Sequence, residues 1–240
     1  MRSPIIVLLA CVLIYASKFE SQISFEDDRF FTYVVDPKKD KIALFLNDEQ
    51  GIKISNFSSL AVLLSENNKE LTFAMNGGMY MKDQNPLGLY IENGNKIRNL
   101  NNRQEGYGNF YMHPNGVFSI NEKGIAKVSK RDEFEESGVL YATQSGPMLL
   151  FDGQIHPSFT KGSSNLHVRN AVGILPDGKI LFVMSKKKIS FYDLAKYFHD
   201  QGCENALYLD GFVSQIYLPS NSRYTQNAQF GVIIGQYKEK

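Results

Sequence analysis

The chain has 240 residues, of which 43% are hydrophobic and 21% charged, the balance of an ordinary globular domain; a disordered chain, a collagen-like repeat and a multi-span membrane protein are excluded. Lys and Arg number 26 against 25 Asp and Glu, a formal net charge of +1, so the basic excess of a phosphate-tracking protein is missing and nucleic acid is not the expected partner. The 19 Gly imply many turns, and two Cys cannot make a disulfide scaffold.

At the N-terminus, Met1-Arg2-Ser3 supplies one positive charge and Pro4 to Ala16 is apolar. That run is shorter than the roughly 20 residues a spanning helix needs. It reads as a secretory signal over residues 1–17, cut after Ser17. The alternative is an uncleaved anchor, which would be the chain's one membrane contact. A lipoprotein reading at Cys11 is disfavoured, because apolar residues continue past it. Cleavage would leave Cys203 as a single thiol beside an apolar strand, where a free Cys usually acts as a small buried residue.

No linker or repeat interrupts residues 24–240, so one domain is expected there. Thr32–Val35 and Ile42–Leu46 read as strands flanking a turn at Asp36-Pro37-Lys38-Lys39-Asp40. Phe57–Ser65 reads as a short helix capped by Asn56 or Ser58, with Leu60, Leu63 and Leu64 on one face. Leu71–Asn76 is a buried strand running into Gly77-Gly78. Four hairpins follow, turning at Asn93-Gly94, Lys123-Gly124, Asp152-Gly153 and Asp177-Gly178, dipeptides that supply the positive φ such turns need. Ser190-Phe191-Tyr192-Asp193 opens a helix with a capping box, and Gly202 ends it. Ala206–Asp210 is a buried strand with a carboxylate at its tip, and Phe230–Gly235 is the closing strand. Hairpins plus one strand–helix–strand unit make an α+β (mixed α/β) domain with a largely antiparallel sheet.

Four strand ends carry small and polar residues suited to a site: Asn76-Gly77-Gly78-Met79-Tyr80, Gln144-Ser145-Gly146-Pro147, Arg169-Asn170 and Asp210-Gly211 followed by Ser214. Each has a plain reading as a turn or bend. Asp210 resists it most, because a carboxylate after Ala-Leu-Tyr-Leu needs a partner, and Arg169 is a candidate for that partner. There is no Gly-x-Gly-x-x-Gly, Walker-type loop, Gly-x-Ser-x-Gly or His-Glu-x-x-His, and His113, His156, His167 and His199 lack zinc-ligand spacing. Lys186-Lys187-Lys188 reads as a solvated turn, with contact to an anionic polymer or lipid as the alternative. An Asp with several Asn could hold a divalent cation through oxygens, but no spacing demands a metal or cofactor.

Taken in order, these segments resemble the phosphodiester glycosidase family, which includes the lysosomal mannose-6-phosphate uncovering enzyme and bacterial relatives. The similarity runs from Asn76-Gly77-Gly78-Met79-Tyr80 through Gly146-Pro147-Met148-Leu149-Leu150, Asp152-Gly153, Arg169-Asn170-Ala171-Val172-Gly173 and Asp177-Gly178 to Asp193-Leu194-Ala195 and Ala206–Gly211, covering roughly residues 70–235. The chain departs from the family after Asp210-Gly211, where Phe212-Val213-Ser214 stands in place of further glycines and serines.

The resemblance implies an exported hydrolase that cleaves the anomeric bond of a sugar 1-phosphodiester, its partner a carbohydrate phosphodiester or cell-envelope glycan. Asp210, Arg169 and Asn76 would be catalytic, with Arg169 gripping phosphate and Asp210 steadying the oxocarbenium-like sugar or activating water. Gly77, Gly78, Tyr80, Ser145, Gly146, Pro147, Asn170, Gly211 and Ser214 would bind substrate. A non-catalytic glycan- or phosphate-binding module and a structural envelope component are the alternatives. If residues 1–17 are an export signal, mass spectrometry of the protein from its native compartment will find an N-terminus near residue 18; an intact N-terminus on a soluble cytosolic species would refute it.

Overall fold

The computed structural model describes residues 27–210, 213–219 and 228–240. The N-terminal segment, Gly211 and Phe212 lie outside the described residues. The strands are β1 (Phe30–Val35), β2 (Lys41–Phe45), β3 (Lys69–Asn76), β4 (Tyr90–Glu92), β5 (Asn95–Arg98), β6 (Gly116–Asn121), β7 (Ala126–Lys130) and β8 (Val139–Ser145). They continue with β9 (Met148–Phe151), β10 (Gln154–Ile155), β11 (Asn170–Ile174), β12 (Ile180–Ser185), β13 (Ala206–Asp210), β14 (Ile216–Tyr217) and β15 (Ile233–Glu239). Helix α1 (Phe57–Glu66) precedes β3, and α2 (Phe191–Asp200) lies between β12 and β13.

Three sheets form, with orders β1-β12-β11-β13-β9-β10, β14-β3-β15-β2 and β5-β4-β8-β6-β7. Every pairing between these strands is antiparallel, as an α+β domain built from hairpins requires. The four hairpins read from the sequence are present as β4–β5, β6–β7, β9–β10 and β11–β12. The strands around Asp36–Asp40 do not pair with each other: β1 joins β12 and β2 joins β15. That turn passes the chain from one sheet to another.

Alternation along the strands explains the layering. Phe182, Val172, Leu207 and Leu209 face a central cluster that also holds Phe73, Met75 and Phe118 from the other two sheets. Leu181, Val183, Ala171 and Tyr208 face the other way, onto Phe191, Leu194, Ala195 and Phe198 of α2. Each fully buried Leu or Phe on such a face contributes about 1.5–3 kcal/mol. Helix α1 covers the four-stranded sheet with Phe57, Leu60 and Leu64. The caps are those expected: Asn56 accepts from the Ser59 amide at 2.9 Å, and Ser190 accepts from the Asp193 amide at 3.1 Å. Gly202, with φ of 78°, supplies the left-handed residue after α2.

Strand β8 is the least legible element. Its last residues read as a polar strand end, yet β8 lies between β4 and β6 in its sheet, and Gly146-Pro147 then passes the chain to β9 in the six-stranded sheet.

Cys203 is buried, its amide bonded to the Phe198 carbonyl, and burial pushes its thiol up to about 12. The native protein will therefore resist a thiol reagent at pH 8 and react once unfolded. Cys203→Ala will lower stability by only about 1 kcal/mol, read from denaturant melts, and leave any turnover unchanged.

Candidate functional site

Asn76 ends β3, Asn170 opens β11 and Asp210 ends β13. The three meet where the four- and six-stranded sheets join, all buried. Asn76 Nδ2 donates to Asp210 Oδ2 at 3.1 Å. Asn170 Nδ2 donates to both the backbone carbonyl and the Oδ1 of Asn76, each at 2.9 Å. Asn76 Oδ1 also accepts the Gln215 amide at 2.8 Å, and Asn170 Oδ1 accepts the Asp210 amide at 3.0 Å. Ser214 Oγ donates to the Asp210 carbonyl at 2.6 Å, bringing a fourth segment to the cluster. Asparagine suits this joint because each amide both donates and accepts, so one side chain links two segments without adding charge.

A one-residue bulge sets the position of Asp210. In β13, Ala206, Leu207 and Tyr208 pair in simple register with Gly173, Val172 and Ala171, but Asn170 pairs with Asp210 rather than Leu209. The extra residue shifts Asp210 off the α2 face and onto the face of Asn76. The Leu209 carbonyl accepts the Ser145 hydroxyl at 2.6 Å.

The bulge corrects the expected Arg169–Asp210 pair. Simple register would have set the two side by side; instead Arg169 lies on the opposite face, fully buried, with its guanidinium carbon 3.6 Å from the Phe191 ring centroid. It donates to the Ile189 carbonyl at 3.0 Å, the Tyr208 hydroxyl at 3.2 Å, and both the Asn165 carbonyl and Oδ1 at 3.0 and 2.9 Å. Burial lowers its pKa from the ordinary value, partly offset by Tyr208. Arg169 thus fastens the loop before β11 to α2 and is not placed to grip a substrate phosphate.

Other expected binding residues divide in the same way. Ser145, Gly146 and Pro147 are buried: Ser145 holds the bulge, a Cβ on Gly146 would come 2.7 Å from the Asn115 Cβ, and the Pro147 carbonyl accepts the Tyr208 amide at 3.1 Å. The Gly77 amide is spent on the Val232 carbonyl at 2.8 Å, and a Cβ there would meet Ile234 at 2.5 Å. A Cβ on Gly78 would meet the Thr143 hydroxyl at 2.5 Å. Thr143 and Gln215 were missed by sequence reasoning, since neither stands in a strand-end motif of small residues.

Tyr80, by contrast, is half-buried at the rim and donates to the Gln229 carbonyl at 3.1 Å. Burial, then the charge of Asp210, pushes its phenol up to about 12, which keeps it a hydrogen-bond donor at neutral pH. Asn76, Asn170, Asp210 and Ser214 are therefore brought together with Tyr80 close by, while Gly211 lies outside the described residues. Asn76 Oδ1 and Asn170 Oδ1 each accept a backbone N–H; among the described residues no group of three or more His, Cys, Asp or Glu could hold a metal.

Because Arg169 serves structure, Arg169→Lys will strand acceptors at Asn165 and Ile189 and lose the stack on Phe191, lowering stability by about 2–4 kcal/mol. Melting temperature and specific activity measured on the same preparation check this. A stable variant that had lost only phosphate affinity would contradict it.

The phosphodiester glycosidase family matches residues 69–231. The chain is 35% identical over 208 residues to the uncharacterized protein YigE of Escherichia coli, covering 84% of this chain and 79% of that protein. Among solved structures, the zebrafish N-acetylglucosamine-1-phosphodiester alpha-N-acetylglucosaminidase catalytic domain, auto-inhibited by its pro-peptide, is similar with a TM-score of 0.59 and 16% identity, covering 89% of this chain and 85% of that one. A hypothetical protein from Synechocystis is similar with a TM-score of 0.52 and 12% identity, covering 87% of this chain and 59% of that one. The residues that build the Asn76–Asn170–Asp210 joint, from β3 to Gln215, all lie within the family match, and the chain belongs to the phosphodiester glycosidase family.

Proposed function

We propose that this protein hydrolyses the anomeric carbon–oxygen bond of a sugar 1-phosphodiester, with Asp210 as the carboxylate at the reacting centre. The observation that carries the reading is the Asp210 clamp: a buried carboxylate held by Asn76 at the junction of two sheets, in a chain of this family. The leaving group is a phosphate monoester, already a stable anion, so departure needs little proton donation. The remaining demand is on the sugar side, where positive charge develops at the anomeric carbon. A fixed carboxylate can steady that charge or take a proton from the attacking water.

The neighbours supply orientation. Asn76 and Asn170 hold the carboxylate and its backbone, and the protonated Tyr80 phenol, bonded to the Gln229 carbonyl, stands close by. In place of Arg169, the exposed lysine turn after β12 would supply positive charge. Ser185 donates its amide to the Arg169 carbonyl, so Lys186, Lys187 and Lys188 follow at the same end of the sheet as Asn170, all exposed. Their field would draw in a phosphodiester. A secretory reading of residues 1–17 places the reaction outside the cytoplasm, with an envelope glycan or glycolipid phosphodiester as substrate.

A panel of sugar 1-phosphodiesters incubated with purified protein tests the activity. Release of reducing sugar is expected, whereas saturable binding without release would leave a binding module. Asp210→Asn will lower kcat by about 10²–10⁴-fold while substrate still binds, because the amide keeps the shape and loses the charge and the base. Full activity in a folded Asp210→Asn would end the assignment.

A further inference from the structure

We propose that the open edge of β7 is a docking site for an extended, basic polypeptide segment, separate from the Asp210 site and independent of its chemistry. Strand β7 is the last strand of the five-stranded sheet. Its hairpin phase is fixed at both ends: the Asn121 amide donates to the Ile125 carbonyl at 3.0 Å, and the Arg131 amide donates to the Asn115 carbonyl at 3.0 Å. With the register pairing Val117 with Ser129 and Ser119 with Lys127, Lys127 and Ser129 point their backbone groups into the hairpin. The N–H and C=O groups of Ala126 and Val128 therefore point away from β6, and no backbone partner outside the hairpin takes them among the described residues.

This edge lies along a half-open cleft between two walls. A cleft of about 800 Å³ runs along Ala126, Lys127, Val128 and Ser129, within the usual 300–1,000 Å³ of ligand sites. One wall is the segment Glu133-Phe134-Glu135, and the other is the β11–β12 turn at Leu175-Pro176 together with Glu204 and Asn205. Ser119 also lines it, 7% exposed. The cleft adjoins Ile174, at the far end of β11 from Asn170.

An alternating row of backbone donors and acceptors between two walls is what an added strand pairs with, and side chains of alternate residues then reach either wall. The lining carries three carboxylates, Glu133, Glu135 and Glu204, against one amine, Lys127. Glu133 is engaged by Lys130 at 3.0 Å, while Glu135 and Glu204 have no ion-pair partner among the described residues. Apolar surface comes from Phe134, Leu175 and Pro176. The segment that fits alternates basic and apolar side chains.

The probe is an acetylated, amidated hexapeptide alternating lysine and valine, added to the full chain while hydrogen exchange is followed residue by residue. Protection of the Ala126 and Val128 amides is expected, with binding weakened by about tenfold when alternate peptide amides are N-methylated. The double variant Glu135→Lys, Glu204→Lys alters two exposed side chains and should weaken the same peptide by about tenfold in a folded protein. No protection at Ala126 and Val128 with millimolar peptide would overturn the proposal. So would equal binding of a glutamate–valine hexapeptide, protection by a neutral oligosaccharide instead, or concentration-dependent protection without peptide, which would make the edge a contact between copies of this chain.

Discussion

The structure depends on the amide clamp between Asn76 and Asn170. Of two buried asparagines at the ends of strands from different sheets, Asn170 donates to Asn76, and between them they hold the amide and one carboxylate oxygen of Asp210. Unmade, each of these bonds would leave a buried polar group at a cost of about 1–3 kcal/mol, so the two sheets are locked at this point by polar chemistry as well as by packing. The hydrophobic faces hold the sheets together through shared packing, and the clamp adds directed bonds at their joint. Placement of Asp210 to within hydrogen-bonding tolerance is therefore a property of the joint, not of strand β13 alone.

A second constraint sorts the charged groups. The extra residue in β13 places Asp210 on the face of the clamp and leaves Arg169 on the face of α2. Arg169 there finishes a column in which the His156 ring stacks on Phe159 at 4.7 Å, Phe159 on Phe191 at 4.8 Å, and Phe191 under the guanidinium. The column pins the long connection from β10 to β11 against the helix, with Asn165 bonded to Arg169 at its far end. Cation, rings and loop thus support one side of the six-stranded sheet, while the Asp210 carboxylate is held on the other.

The two ends of that sheet have different chemistry. The end with Asn170 and Asp210 carries the exposed lysine turn and the half-buried Tyr80. The end with Ile174 carries the acidic cleft beside β7, suited to a cation. If both proposed sites bind, a ligand drawn by charge to the acidic cleft differs in sign from a phosphodiester.

Local order was legible in the sequence. Asn-Gly and Asp-Gly dipeptides mark hairpin turns through backbone freedom, the Asn56 and Ser190 caps mark helix starts, and the family resemblance rests on strand-end residues whose order survives in the chain. Asn76, Asn170, Asp210 and Ser214 could be named in advance because strand ends bearing small polar residues are where a rigid sheet offers groups to a ligand. The sequence could not show which of them meet. Pairing of β1 with β12 rather than β2 joins residues 30–35 to 180–185, a choice made by burial of both faces and not by the intervening turn. The bulge at Leu209 has no marker in Ala-Leu-Tyr-Leu-Asp, because one extra residue in a ladder is settled by the partner strand and by Ser145 from another sheet. That single residue decided that Asp210 faces the clamp, since in a strand a shift of one position reverses the face of every side chain beyond it; Arg169, two positions before Ala171, takes the α2 face by the alternation of its own strand.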